Sequence, residues 1–490
     1  MSSLRRDGYL ALVAGDSKLE TDYLVVGAGA LGMAFVDSLI EHSDADVVMV
    51  DRRHRPGGHW LDSYPFVQLH QPSRFYGVAS TPLGQDRIEP DGTDAGFYER
   101  ASGAEICGYY DEIMRHRLLA SGRVRFFPMC DYLGDRRFRS LVTDQVNDVT
   151  VRTRVVDATY MASRVPATDP PPFEVADGAR CVPVGQLARL DRPAAGYVII
   201  GGGKTGSDAI GWLLDRGTDP DHITWVRSRD NWILNRAYFQ PGMPRTFESV
   251  VLQLEAMVAS DTVEAVFERL EEAGPMLRTD RTVVPTMMKG GTASVWEVEQ
   301  LRRIENVVRL GYVERIEPDR IVFEEGTIPT TPGNLHVHCA SAGLSDNPPR
   351  AIFADDTITL QLVTRVGLTL SGGLQGYLEA SGRTTAEKNA LCPPTAMPNT
   401  PFDYLRAIMA GISTEMGWQE APDLQEWVDH SRLNLLRGLG EGEDHAVVGE
   451  LQGRFFGSLF PAFEKLQVFA AQATPRERAR MYEPAASVSA

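Results

Sequence analysis

The 490-residue chain has no C-x-x-C pair, and its five cysteines, Cys107, Cys130, Cys181, Cys339 and Cys392, are scattered and odd in number. That pattern excludes a dithiol redox centre and a disulfide framework, and leaves buried, reduced thiols of a cytoplasmic protein as the expectation. Positive charge is also short: 49 Lys and Arg stand against 66 Asp and Glu, a formal net charge of -17. So acidic a chain suits neither a nucleic-acid partner nor a membrane surface. No run approaches the roughly 20 uninterrupted apolar residues of a membrane span. The opening MSSLRRDGYLALVAGDSKLE has no apolar core before Asp16 and Glu20, and reads as a lead-in rather than a signal peptide. The ten histidines offer no H-x-x-x-H or H-E-x-x-H spacing. His336 and His338 share one face of an expected strand and read as structural, so no metal site is expected.

What the chain does have is glycine in two ordered places. The stretch YVIIGGGKTGSDAIGWLL, residues 197 to 214, contains Gly203-Lys204-Thr205, a G-K-T that looks like the end of a triphosphate loop. Such a loop needs its first glycine at 198, so that successive N–H groups wrap a phosphate. Position 198 is Val198, inside an apolar strand, so the triphosphate reading fails. Gly201, Gly203 and Gly206 instead form G-x-G-x-x-G between a strand and a helix. The first glycine allows the tight turn, the second a close approach to pyrophosphate, and the third close helix packing. Lys204 and Thr205 lie where a pyrophosphate would be held. The next strand, 222 to 226, ends at Arg227 with Arg229 beyond it, where an arginine would suit the 2′-phosphate of NADPH.

A second copy stands earlier. The strand Tyr23-Leu24-Val25-Val26 runs into Gly27-Ala28-Gly29-Ala30-Leu31-Gly32 and a helix. The strand 47 to 50 then closes on Asp51, an acid placed for a ribose hydroxyl. After it comes the basic turn Arg52-Arg53-His54-Arg55-Pro56-Gly57-Gly58-His59-Trp60.

With these residues the chain resembles the two-dinucleotide-binding flavoproteins, and among them the class B flavoprotein monooxygenases of the flavin-containing, Baeyer–Villiger and N-hydroxylating types. The resemblance covers residues 20 to 375. It implies that Gly27, Gly29, Gly32, Asp51, Gly57, Gly58 and Trp60 hold FAD, while Gly201, Gly203 and Gly206 hold NADPH. It also implies linking strands at 155 to 159, with Asp157, and at 335 to 343. The fold it implies is α/β, an FAD domain with an inserted NADPH domain, each Rossmann-like, plus a helical C-terminal region. The expected boundaries are 20–185 and 326–400 for the FAD domain, 190–325 for the insert and 401–490 for the helical region. The chain departs from the family at 181 to 190, CVPVGQLARL, where F-x-G-x-x-x-H-x-x-x-W is absent.

The chemistry the resemblance implies is hydride transfer from NADPH to flavin, then oxygen transfer from a C4a-(hydro)peroxyflavin to a small organic substrate. No G-x-S-x-G nucleophile is present and none is needed. His70, Gln71 and Arg74, in the segment after the G-G-x-W turn, are the candidate catalytic residues, able to bond flavin, nicotinamide or a developing anion. A self-satisfied polar loop is the competing reading. Gln361, in the strand 357 to 362, is placed at the flavin pyrimidine edge. Residues 247 to 275 read as an all-α insertion, and helices near 402–409 and 455–469 either roof a substrate pocket or form a homodimer face. Two further functions stay open: an NAD(P)H-dependent flavin oxidoreductase without oxygen insertion, and a non-enzymatic dinucleotide sensor.

Overall fold

In the computed structural model the described residues are 19–478, apart from 342, 346, 365, 366, 442 and 443. Residues 1–18, most of the lead-in, and 479–490 lie outside them. The chain begins with β1 (Leu19–Val26), α1 (Ala30–His42), β2 (Val47–Val50), α2 (Gly103–Ile113), β3 (Val124–Phe127), β4 (Cys130–Gly134), β5 (Arg137–Ser140) and β6 (Val146–Asp157). There follow β7 (Glu174–Val175), β8 (Cys181–Pro183), β9 (Gly196–Ile200), α3 (Lys204–Asp215), β10 (Ile223–Val226) and β11 (Asn231–Asn235). Next come α4 (Pro244–Val258), α5 (Val263–Ala273), β12 (Met276–Leu277), β13 (Met287–Ala293), α6 (Val295–Arg302) and β14 (Val307–Val308). The strands β15 (Val313–Ile316), β16 (Arg320–Phe323), β17 (Gly326–Pro329), β18 (Asn334–His338) and β19 (Thr357–Thr359) lead to α7 (Leu368–Ala380) and α8 (Thr385–Leu391). The last helices are α9 (Pro401–Gly417), α10 (Pro422–His430), α11 (His445–Gln472) and the single turn α12 (Pro475–Arg478).

Two parallel sheets define the architecture. The first runs β3-β2-β1-β6, with β19 added in parallel on the end of β6 and the β4-β5 hairpin antiparallel to its start. Because β19 arrives 200 residues after β6 and still pairs Thr357 with Val155, everything between is an insertion into this sheet. The second sheet, β14-β10-β9-β18-β8, is parallel throughout. Parallel strands need both faces covered, which explains their composition. Every residue of β2 is buried, as is every residue of β9 after Gly196. Eleven of the thirteen α1 residues are buried, because α7 covers the helix face turned away from the sheet. By contrast α5 buries only Val266, Phe267 and Leu270, the stripe expected of a surface helix.

The expected boundaries move. β7, β8, β17 and β18 all belong to sheets of the insert, so it begins before 174 and ends after 338 rather than at 190 and 325. The strand 335–338, read as a returning link, is the central neighbour of β9. Residues 247 to 275 are helical as expected, forming α4 and α5, and β12-β11-β13 from the flanking segments form a small sheet against them. These strands are two to seven residues long and lack alternation, so no sequence pattern announces them. The C-terminal α9 and α11 pack on this subdomain, sharing a core of Trp232, Leu254, Phe267, Phe402, Leu405 and Leu459.

Candidate active site

Both glycine loops take one shape. Gly27 and Gly201 have φ +105° and +140°, a region that costs other residues strain. Each donates its N–H to the end of the second strand of its module, Val50 O at 2.8 Å and Val226 O at 3.0 Å. A Cβ on Gly32 would lie 2.2 Å from Gly27 O, and one on Gly206 would lie 2.2 Å from Gly201 O. The third strand closes each loop from the far side, with Ala158 N bonded to Val26 O and Cys339 N to Ile200 O, both at 2.9 Å. Val198, the residue that excluded a triphosphate loop, pairs with Thr224 and His336 inside the sheet.

The helices that follow are left open at their N-termini. α1 starts on Gly29 and α3 on Gly203, neither with a side-chain cap. α2, α5, α6, α8 and α9 are each capped by a serine or threonine, while α4, α7, α10 and α11 also lack a side-chain cap. The unpaired first-turn N–H groups of α1 and α3 therefore suit an anion. The first loop is also flanked by a second backbone: Gly57 N bonds Ala28 O at 2.9 Å, and a Cβ on Gly58 would sit 3.0 Å from Gly29 Cα. Ala30 and Leu31 form the buried first turn of α1. These features fit a dinucleotide pyrophosphate at each loop.

The remaining expected cofactor residues divide. Asp51 is buried, and its carboxylate accepts from Ala28 N at 2.7 Å and Arg53 N at 2.8 Å, so it shapes the loop while keeping lone pairs for a ribose. Burial raises its pKa, against those two N–H bonds. Trp60 is fixed by donating to Tyr76 Oη at 2.7 Å and lies against His59. Arg52 turns outward to Asp131, 3.2 Å away. Asp157 accepts from Thr159 N and Oγ1 at 2.8 and 2.7 Å, a turn-forming role. Gln361 is buried and bonded to both backbone groups of Arg350, at 3.0 and 2.7 Å, so it serves the fold.

The two arginines expected to read a 2′-phosphate are both engaged. Arg227 is 3% exposed, stacks on Trp225 and pairs with Asp230 at 2.5 Å; burial lowers its pKa to about 10. Half-buried Arg229 bonds Asn399 Oδ1 at 3.2 Å and Thr286 O at 2.5 Å. Sequence spacing placed both at the right strand end but could not show Asp230, whose charge draws Arg227 inward.

Of the catalytic candidates, Arg74 is engaged by its own loop. Its guanidinium donates to Tyr98 Oη at 2.6 Å and lies 3.7 Å from Asp86, holding the 84–99 loop. Gln71 is half-buried beside it in sequence. His70 alone reaches the junction of the modules. Its Nδ1 accepts from Thr292 N at 3.4 Å, which leaves the proton on Nε2. Burial, then the nearby Lys204 charge, lowers its pKa to about 4; burial lowers His59 equally. Both rings are thus neutral in the folded state from pH 6.5 down to about 4, whereas an unfolded histidine protonates there. Stability is therefore expected to fall on acidification across that window, and His70→Gln to flatten the fall, as read from urea midpoints at pH 7 and 4.5.

Sequence reading missed the ion network beside His70. Arg236, fully buried, donates Nε to His70 O at 3.1 Å, Nη1 to Asp94 at 2.8 Å and Nη2 to Glu297 at 2.6 Å. Arg100 pairs with Asp94 at 2.6 Å. Lys204 bonds Asp208 and stands 3.9 Å from Glu297, while Tyr64 donates to Asp208 at 2.6 Å. Burial alone would raise Glu297, but Lys204, Arg236 and Arg100 outweigh it and hold its pKa at about 2. Beside the network lies a cavity of about 350 Å³ between α3, α6, the start of β11 and the first-module loops. It is lined by Phe66, Trp212, Trp296, Asn231, Asp208 and Glu297 among others.

Two parallel sheets with matching glycine loops, one inserted in the other, define a two-dinucleotide-binding fold. A family model described as an NAD(P)-binding Rossmann-like domain matches residues 25–70. Uncharacterized protein Rv2000 of Mycobacterium tuberculosis and uncharacterized protein Mb2023 of Mycobacterium bovis are each 45% identical over 428 residues, 86% of this chain and 79% of theirs. The chain belongs to the family of these mycobacterial proteins. Among solved structures, it is similar to a cyclohexanone monooxygenase from Rhodococcus sp. Phi1 bound to NADP+, at 14% identity and TM-score 0.46 over 90% of this chain and 98% of that one. It is also similar to a flavin-containing monooxygenase from Stenotrophomonas maltophilia, at 14% identity and TM-score 0.41 over 74% and 97%. Among the described residues there is no metal-ligating cluster, and no helix is long and apolar enough to cross a membrane.

Proposed function

We propose that the protein is an FAD- and NADPH-dependent oxidoreductase that transfers one oxygen atom of O2 to a small organic substrate. The observation that supports it is the repeated cradle: two loops with the same glycine contacts and the same uncapped helix start, one module nested in the other. Two such sites suit a hydride donor and a flavin acceptor. FAD at the first loop would supply the redox chemistry when bound. Gly27, Gly29, Gly32, Gly58 and Asp51 would hold it there, with Trp60 fixed alongside. Gly201, Gly203, Lys204, Thr205 and Gly206 would hold the nicotinamide cofactor. His70, neutral and with its Nε2 proton free of Thr292, would donate a hydrogen bond at the junction.

NADPH preference then rests on Arg229, the arginine that is not fully enclosed. Arg229→Ala is expected to reduce the NADPH-to-NADH ratio of rates by about tenfold, the size of one charge-assisted bond. Arg227→Lys should instead lower thermal stability with the ratio unchanged, because its role is to pair with Asp230 against Trp225.

A second reading, a flavin oxidoreductase without oxygen insertion, is favoured by Arg74, whose engagement with Tyr98 and Asp86 withdraws it from stabilising a developing anion. The absent histidine and tryptophan at 181–190 point the same way. Oxygen uptake driven by NADPH, with isotopically labelled O2 and a panel of amines, ketones and sulfides, separates the two. The proposal predicts label in the product; release of all consumed oxygen as peroxide with every substrate establishes the second reading.

A further inference from the structure

The long helix α11 is apolar on two faces, and the chain uses only one of them. Val448, Leu451, Leu459, Ala462 and Phe469 are buried, in contact with α4 and α9. On another side Gly449, Gly453, Phe456, Phe460, Glu464 and Gln467 succeed one another at three- and four-residue steps, and all are exposed. That spacing sets them on one stripe of the helix. Phe456 is 61% exposed and Phe460 69%, the two most exposed phenylalanines among the described residues. The stripe carries a single charge, Glu464, in a chain of net charge -17.

The glycines call for a second explanation. Glycine weakens a helix interior, and a packing clash within the chain would account for it. Here there is none: a Cβ added at Gly449 or Gly453 meets nothing within 4 Å. The bare backbone leaves a shallow groove beside the two rings, open to another molecule.

Rings and groove match each other across a twofold axis. In an antiparallel pair of α11 helices with the axis between 454 and 455, Phe456 meets the other copy's Gly453 and Phe460 meets its Gly449. Glu464 then comes level with His445 rather than with a second carboxylate. Every contact occurs twice, as a self-complementary surface requires. The two exposed rings offer about 250 Å² per copy, so about 500 Å² in a pair, roughly a third of a standard interface. The glycines, Gln467 and the flanks along about 30 Å of helix bring the pair past the roughly 1,000 Å² that a specific contact needs. A lipid surface suits the stripe less well, because interfacial helices rely on free cations. The cations beside it are engaged, Arg454 with Glu255 at 2.7 Å and Lys465 with Asp261 at 3.0 Å.

We infer that this stripe is a homodimer face, through which two copies of the chain pair antiparallel, Phe456 and Phe460 of each seated on Gly453 and Gly449 of the other. The inference is independent of the proposed reaction and its cofactors.

The test is sedimentation velocity of the full-length protein over a concentration series. The protein is expected to reach a species of twice the chain mass. Phe460→Ala should weaken the dimer about 100-fold or more, since the lost ring counts twice. Gly453→Leu should abolish it while the thermal midpoint holds or rises. Leucine favours a helix more than glycine does, and its side chain would point into open space in a single copy, so misfolding cannot imitate that result. Raising salt should leave the dimer unchanged or tighten it, because the stripe is nearly uncharged. A protein that stays monomeric up to its solubility limit, or either variant pairing as tightly as the unmodified chain, would overturn the inference. A dimer that salt dissociates would overturn it too, by placing the contact on ion pairs elsewhere.

Discussion

Replacing Arg236 by methionine is expected to cost about 3 kcal/mol or more of folding stability, the penalty for removing one partner from a buried ion pair. The side chain is fully enclosed and all three of its nitrogens are used, on His70 O, Asp94 and Glu297. Methionine fills a similar volume but offers no proton, so two carboxylates and a carbonyl each lose one donor, the carbonyl keeping the Thr292 hydroxyl. Asp94 keeps Arg100 at 2.6 Å, and Glu297 keeps Lys204 at 3.9 Å, which places the cost at the low end of the range. Urea unfolding of Arg236→Met and of the double variant Arg236→Met/Glu297→Gln measures it. The double variant should recover part of the loss, because a neutral amide no longer needs the missing cation. An unchanged midpoint for the single variant would show that the network contributes little.

Gly32→Ala is expected to be nearly as severe. Its Cβ would meet Gly27 O at 2.2 Å and Ala158 Cβ at 3.1 Å, neither of them the free end of a flexible side chain. Overpacking of this kind costs about 1–3 kcal/mol or more, and here the strain falls on the turn that would hold FAD. Both thermal stability and FAD content should drop. Gly203→Ala is the contrast: nothing lies within 4 Å of its added Cβ, and its φ of -90° suits any residue. Only the weaker N-cap preference of alanine is lost there, about 1 kcal/mol, so folding should survive while nucleotide affinity weakens. Equal stability losses in the two variants would contradict the account of the loops.

These two predictions mark how much could be read before folding. The βαβ modules were legible because a strand, a glycine turn and a helix are contiguous, and each glycine has a local steric reason. The position of Asp51 at the end of β2 was legible for the same cause. Arg236 was not legible: its partners lie 142, 166 and 61 residues away, and no local pattern distinguishes it from a solvated arginine. Arg74 and Arg227 show the converse failure. Both occupy expected positions, and each is claimed by a neighbour, Tyr98 or Asp230, that spacing does not reveal. The short strands β11 to β13 were hidden since they pair across intervening helices and carry glycine and asparagine rather than alternating apolar residues.

The central claim is that the two loops hold a flavin and its hydride donor. The most direct measurement is the visible spectrum of the purified protein, supplied with FAD and then titrated anaerobically with NADPH. The account predicts a yellow protein with one FAD per chain, bleached by NADPH faster than by NADH. A colourless protein that takes up no FAD, or one whose flavin neither nucleotide reduces, would contradict it.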